Sequence, residues 1–277
     1  MELYDKVAYK ASRDLTLAYS TSFSKSIGLF DISVQPHIFA IYGLVRIGDE
    51  IVDTYKGSDQ QELLDVLEAE TYAAIKRGYS ANPIVHAFAR TAKQYGISKT
   101  LLRPFFASMA MDIKPPEYTQ KLYEKYIDGS AEVVGLMSLR VFIGENKNAY
   151  EKLEKGARAL GAAYQKINFL RDMAADYKEL HRIYFPGTSY DLFGDDDKDK
   201  IVEDIQNDLA TARKSLVKLP ISSRHAVELS LAYYEALLEK LKRTPVATLK
   251  KRRVRINDAQ KAVIFAQASI KRRFDRA

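Results

Sequence analysis

The sequence predicts an all-α chain, and three observations carry that expectation. Gly and Pro are scarce, 13 and 8 of 277 residues, against roughly 12% together in average proteins. Apolar residues recur at three- and four-residue spacing along most of the chain. No alternating apolar and polar run is long enough for a sheet strand, and no strand leads into a G-x-G-x-x-G turn. The last point also removes a Rossmann nucleotide site.

Taken in order, helices are expected at about 6–17, 35–54, 59–77, 83–95, 99–111, 119–142, 149–179, 197–218, 222–243 and 257–273. Gly57, Asn82-Pro83, Gly96, Pro115-Pro116, Gly144, Pro186-Gly187, Pro220 and Pro245 separate them. Pro83 suits a first helical turn, where its missing N–H would have no partner anyway. Ser98 suits a helix start and Gly96 a helix stop. The polar stretch 187–200, GTSYDLFGDDDKDK, is expected to be a solvated insertion, because helices of similar character flank it. No repeat of fixed period occurs. The reading is one all-α domain over residues 1–277, with a basic C-terminal region from about 240 onward.

Composition excludes several function classes. A hydrophobic content of 47% supports a sizeable core and rules out a disordered chain. There is no Cys, hence no disulfide, thiolate nucleophile or Cys-zinc site. The longest apolar stretch, residues 38–45, falls far short of the roughly 20 residues that span a bilayer. The first residues, MELYDKVAYKASRD, show no apolar signal region. A cytoplasmic location is therefore expected. The net charge of +7 is unevenly placed. From residue 240 onward 13 basic residues meet only Asp258 and Asp275, a net of +11, so the rest of the chain stands at −4. An acidic body argues against nucleic acid as a partner. The four His (His37, His86, His181, His225) lack ligand spacing and receive no role.

Two acidic stripes carry the chemistry. Tyr42, Arg46, Asp49 and Asp53 follow one another at four-, three- and four-residue steps, one narrow polar line at 100° per residue. Ile41, Leu44, Val45, Ile51 and Val52 lie mostly off that line. Gln165, Asn168, Asp172 and Asp176 form a second line, set among Ala162, Ala163, Ile167, Phe169, Leu170, Met173, Ala174 and Ala175. A solvated face would be polar across half the helix. A single D-x-x-x-D is usually chance surface charge; two of them with in-phase polar partners and apolar flanks are a different matter. Burying such carboxylates costs several kcal/mol per ion unless something compensates. Mg²⁺ does so with one or two carboxylates, water and phosphate oxygens, and two facing stripes suit a diphosphate held by several such ions.

With these residues in view, the chain resembles the squalene/phytoene synthase family, head-to-head prenyl synthases of the all-α isoprenoid synthase fold, whose helices surround a central apolar active-site cavity. The likeness runs from Tyr19-Ser20-Thr21-Ser22-Phe23 through Arg46-Ile-Gly-Asp49-Glu50-Ile-Val-Asp53 to Tyr126-Ile-Asp-Gly-Ser130-Ala131-Glu132-Val133-Val134-Gly135. It continues in Gln165-x-x-Asn168-x-x-Arg171-Asp172-x-x-x-Asp176 and in Arg182-Ile-Tyr184-Phe185-Pro186. There are departures. Glu50 stands where many members have Asp, Ser130 where Val is usual, and Glu132 where a small residue is common on the pocket wall. One residue is inserted between Asp176 and Arg182, which bears on the placement of Tyr184.

The resemblance implies a reaction and roles. One prenyl diphosphate ionises, a second chain attacks, and the cyclopropylcarbinyl diphosphate so formed ionises again, rearranges and loses a proton. Asp49, Asp53, Asp172 and Asp176 would hold Mg²⁺, for which Mn²⁺ can substitute, with Asn168 a further oxygen ligand. Arg46 and Arg171 would bind phosphate, with Gln165 beside them. Tyr19, Ser20, Thr21 and Ser22 would meet the second diphosphate, Ser20 or Ser22 having helix capping as the alternative. Phe23, Tyr42, Tyr126 and Tyr234 would shield cationic carbon, plain core being the alternative for each; Tyr126 is also counted among the catalytic residues and Tyr184 among the substrate contacts.

The basic run Lys250-Lys251-Arg252-Arg253-Val-Arg255 has three readings: a diphosphate clamp through Arg252, a patch against anionic membrane on its inner face, or a solvated helix end. The expected activity is a 15-cis-phytoene synthase joining two geranylgeranyl diphosphates in carotenoid biosynthesis, with no nucleotide cofactor. The alternatives are a squalene or dehydrosqualene synthase using two farnesyl diphosphates, and, from another class, a non-catalytic helical binding or assembly factor. No nucleotide fingerprint and no C-terminal membrane anchor are visible, and both favour the non-reductive reaction.

Overall fold

Apolar faces at helical spacing leave each segment needing helical neighbours, and the chain answers with helices alone among the described residues. The computed structural model describes residues 2–180 and 182–275, so His181 lies outside them. The helices are α1 (Glu2–Tyr19), α2 (Thr21–Ile27), α3 (Gln35–Asp49), α4 (Gln60–Arg77), α5 (Pro83–Tyr95), α6 (Lys99–Ile113), α7 (Gln120–Ile127) and α8 (Val133–Ile143). They continue with α9 (Lys147–Leu180), α10 (Asp195–Leu216), α11 (Ile221–Arg243), α12 (Val246–Leu249) and α13 (Asp258–Phe274). The expected boundaries agree to within about one turn, and Asn82–Pro83 and Gly96 cap α5 as anticipated.

Three features depart from the sequence reading. The segment expected as one helix over 35–54 ends in a π-helical turn, Glu50–Thr54, and that over 119–142 carries a second, Asp128–Glu132, between α7 and α8. Short α2 and α12 have too few residues to show a period. The stretch 187–200 is not a solvated insertion. Phe193 and Lys198 are buried, the Lys198 ammonium reaches Asp195 (3.0 Å) and the Thr244 carbonyl (3.2 Å), and Tyr190 stacks on Tyr177 at 3.8 Å. The Tyr190 hydroxyl donates to the Lys250 carbonyl, so this segment ties the basic tail to α9.

Small residues set how closely the helices approach. On α1, buried Ala8, Ser12 and Thr16 face α3, the two hydroxyls being satisfied by carbonyls one turn back. At Gly135 a Cβ would stand 2.7 Å from the Ala157 carbonyl oxygen, and at Gly161 2.5 Å from that of Ala131. The backbones of α8 and α9 therefore touch, and nothing larger than Gly fits at either place. Gly129 lies as tightly on the Pro104 carbonyl of α6, and there the Ser108 hydroxyl donates to the Tyr126 carbonyl (3.2 Å) beside the π-helical turn. Between α3, α8, α9, α10 and α11 remains an apolar cavity of about 260 Å³, walled by residues such as Phe30, Val45, Leu139, Leu160 and Leu216.

Candidate active site

The two acidic stripes meet where Asp53 and Asp176 sense each other's charge, and the same helices give Val45 and Gln165 to the cavity wall. On α3, Arg46 pairs with Glu50, stands 3.7 Å from Asp49 and lies over the Tyr19 ring at 4.4 Å. Glu50, beside the stripe, is thus held by the stripe's own arginine. Tyr42 packs on Phe23 with ring centroids 5.2 Å apart. On α9, Arg171 grips Asp172 with two nitrogens, and Arg253 from the tail adds Nε at 2.6 Å from the same carboxylate. It is Arg253, rather than Arg252, that reaches the acidic stripe. Asn168 accepts from the Tyr234 hydroxyl at 3.4 Å, and Tyr234 stacks on Tyr164 at 3.7 Å.

Two further residues organise the floor, and sequence reasoning gave neither a role. Buried Arg182 places Nη1 2.5 Å from Asp53 and 3.5 Å from Asp112, while Nη2 donates to the Val52 and Asp112 carbonyls (3.1 and 2.7 Å). Asp112 accepts from Tyr126 (2.7 Å) and Tyr184 (3.1 Å). Asp112 ends an apolar run, FFASMAMD, and Arg182 opens the Arg-x-Tyr-x-Pro segment; a lone acid closing an apolar helix was the available signal.

Several expectations change. Tyr126 is buried with its hydroxyl committed to Asp112, and its ring packs against Tyr184 and Phe169 (5.0 and 5.9 Å) rather than along the cavity. Among the described residues, the cavity wall includes Phe23, Tyr164 and Gln165 but not Tyr42, Tyr126, Tyr184 or Tyr234. Glu132 is also off the wall, held by Arg158 at 3.1 Å. The Ser20 hydroxyl accepts from the Phe23 N–H (3.3 Å), the capping alternative, and the Ser22 carbonyl receives the Ser26 hydroxyl (3.3 Å). Thr21 is exposed at the start of α2. His37 and His86 serve as partners of Thr91 (2.9 Å) and Asp5 (2.7 Å).

The electrostatics show a site short of positive charge. Burial pushes the Asp49 carboxyl up to about 7, with Asp53, Asp112 and Glu50 adding to it against the pull of Arg46. Burial likewise raises Asp176 to about 7, helped by Asp172 and Asp53 and opposed by Arg182 and Arg171. Asp112 rises to about 6, chiefly through burial, despite Arg182. The Nε of Arg46 is buried without an acceptor. Crowded oxygen donors with raised affinity for protons suit hard divalent cations, and an unused guanidinium donor suits an anion. Among the described residues no three acidic or imidazole groups already converge on one metal-sized point. Oxygens from a ligand must complete any such coordination, as Mg²⁺ generally requires.

The family model for squalene/phytoene synthase matches residues 16–260. The chain belongs to that family. A dehydrosqualene synthase solved with a bound ligand superposes with a TM-score of 0.81 over 98% of both chains at 16% identity. Squalene synthase HpnC from Alicyclobacillus acidocaldarius gives 0.75 over 87% of this chain and 95% of that one at 21% identity. These likenesses establish the all-α fold. Among curated relatives, phytoene synthase of Arthrospira platensis is 30% identical over 67% of this chain and 63% of its own length. Phytoene synthase 1 of Arabidopsis thaliana is 28% identical over 84% and 60% respectively. Presqualene diphosphate synthase of Zymomonas mobilis is 27% identical over 87% and 86%. The chain thus spans about three-fifths of the length of the phytoene synthases it matches here.

Proposed function

We propose that this chain is a Mg²⁺-dependent 15-cis-phytoene synthase, joining two geranylgeranyl diphosphates head to head through a cyclopropylcarbinyl diphosphate, at the entry to carotenoid biosynthesis. The observation that carries the reading is the pairing of two acidic stripes with an apolar cavity whose wall takes Val45 and Gln165 from the same two helices. Asp49, Asp53, Asp172 and Asp176, with Asn168, are the oxygen donors for magnesium. Bound there, the metal supplies positive charge to the departing diphosphate. Arg46 and Arg171 bind phosphate oxygens through planar forks, and Arg253 is placed to join them when it lets go of Asp172. Ser20, Thr21 and Ser22 present hydroxyl and N–H groups at the start of α2 to the second diphosphate. Phe23, Val45, Leu139 and Leu160 keep water from cationic carbon, and the Tyr164 face offers it π density. No nucleotide takes part.

A second reading, condensation of two farnesyl diphosphates, draws support from the presqualene diphosphate synthase, which aligns over most of both chains. The test incubates the purified chain with C15 or C20 diphosphate, with and without Mg²⁺ and NADPH, and identifies the hydrocarbon. C40 phytoene from C20 substrate, needing metal but no NADPH, is expected; C30 product alone would reject the phytoene assignment. The substrates are lipid-soluble, so the reading places the protein at the inner face of a membrane. Among the described residues no helix is long and apolar enough to cross one.

A further inference from the structure

The basic run expected to meet lipid is folded onto the protein in part, with Lys251, Arg252 and Arg255 exposed. Arg253 sits on Asp172, the Lys250 ammonium donates to the Asp191 carbonyl (3.1 Å), and Lys240 donates to the Arg255 carbonyl (2.6 Å). A different face is open. Helix α13 buries none of its residues. Its outward side repeats at helical spacing through Val263, Ala266, Ile270 and Phe274, the last two being 55% and 78% exposed.

The end of α13 lies beside two segments that carry other exposed apolar side chains. Arg272 donates to the Phe30 carbonyl at 3.4 Å and stands 3.9 Å from Asp31, whose N–H donates to the Ser222 carbonyl at 3.0 Å. These contacts bring together the loop carrying Ile32, which is 85% exposed, the start of α11 with exposed Ile221, and the tip of α13. The far end of the apolar cavity lies beneath. Phe30, stacked on Phe142 at 5.2 Å, belongs to its wall together with Leu219 and Ala226.

Charge indicates what covers this face. The segments that carry its apolar residues also carry Lys218, Arg224, Lys271, Arg272 and Arg273, against Asp31, Glu228 and Asp275; Arg224 donates to the Leu219 carbonyl (2.8 Å) and Arg272 stands 3.9 Å from Asp31. Lys271 and Glu228 offset each other at 2.8 Å, and Asp275 lies 3.5 Å from His225, which leaves Lys218, Arg224 and Arg273 in excess. The face therefore keeps a net positive charge beside its apolar groups. A second copy related by a two-fold axis would set these cations against themselves. An anionic bilayer instead accepts both the apolar and the basic groups.

We propose that Ile32, Ile221, Ile270 and Phe274, together with these cations, form the surface that docks on an anionic bilayer and sets the far end of the cavity against the lipid. The use of that contact for prenyl-chain passage rests on the function proposed above; the docking itself does not depend on which chain is joined.

Sedimentation of the full chain with vesicles, without substrate, tests it. Phosphatidylcholine vesicles containing phosphatidylglycerol should carry the protein down, and pure phosphatidylcholine should carry far less. The triple variant Ile32→Ser, Ile270→Ser, Phe274→Ser changes only exposed positions, and circular dichroism checks that it folds. Its bound-to-free ratio should fall about tenfold or more. Lys250→Gln with Lys251→Gln should leave the ratio unchanged. Wild-type protein remaining in the supernatant, equal binding to both vesicle types, or a folded triple variant that sediments like wild type would overturn the proposal. So would a dimer in solution that the triple variant dissociates. A failed condensation assay with intact vesicle binding would reject the enzymatic reading alone.

Discussion

The two acid-bearing segments share one motif and differ in how the surroundings offset their charge. On the first, Asp53 is tied from outside by buried Arg182, while Asp49 has Arg46 of its own helix at 3.7 Å and titrates near 7. On the second, Asp172 is gripped by its neighbour Arg171 and by Arg253, while Asp176 titrates near 7. Each segment thus offers one carboxylate in close contact with a guanidinium and one whose charge is poorly compensated. The tying cations differ in kind. Arg182 is nearly inaccessible and also supports Asp112, whereas Arg253 is half-exposed on a tail. The first segment is tied by an arginine of the core, and the second by one at the surface.

The largest effect should come from removing the acids. Asp49→Asn and Asp172→Asn should each lower turnover by at least about 10³-fold with the helical dichroism unchanged; near-normal turnover in both would break the assignment of the pair as one unit. The firmness of the first side is next. Arg182→Met leaves Asp112 buried without its cation and should cost about 3 kcal/mol in denaturant unfolding. Adding Asp112→Asn should recover part of that loss. Arg253→Ala, by contrast, should cost under about 1 kcal/mol of stability, because the pair is half-solvated, yet it should raise the KM for prenyl diphosphate. Equal stability losses for the two arginines would erase the contrast.

The pH response sharpens it further. Asp49, Asp176 and Asp112 have folded values of about 7, 7 and 6, above the ordinary carboxyl range. Between roughly pH 4 and 7 the folded chain holds protons that the unfolded chain has lost, so stability falls as pH rises through that window. His37, lowered to about 4 by burial, acts oppositely: stability is lost as pH falls below its ordinary value. Three carboxyls outweigh one imidazole. The melting temperature of metal-free protein should therefore rise by a few degrees from about pH 8 to about pH 6. The rise should shrink in Asp49→Asn and on adding Mg²⁺.

Much of this was legible because the acids and the helices share one signal. A carboxylate at four-residue spacing among Ile, Val and Ala announces both the helix and its unusual face. What stayed hidden depends on chain-distant contact. Nothing local shows that Asp112 and Arg182 meet, or that Arg253 and not Arg252 turns toward Asp172. Tyr126 looks like any cavity aromatic until the partner of its hydroxyl is seen. The stretch 187–200 is polar on average, yet Tyr190 and Phe193 anchor it, and average polarity conceals two anchors.

The π-helical turn at Asp128–Glu132 bears on how this chain tolerates change in length. Such a turn holds one residue more than the α-helical path it replaces. Deleting Ser130 would let the helix close to ordinary spacing while α8 keeps its rotation, so Gly135 would still face Ala157. The same deletion two turns later would swing every following side chain by about 100° and turn buried Leu139 and Val141 off the faces they pack on. Indels in a lineage of such chains should therefore gather at the loosened turn and be purged from the helix beyond it.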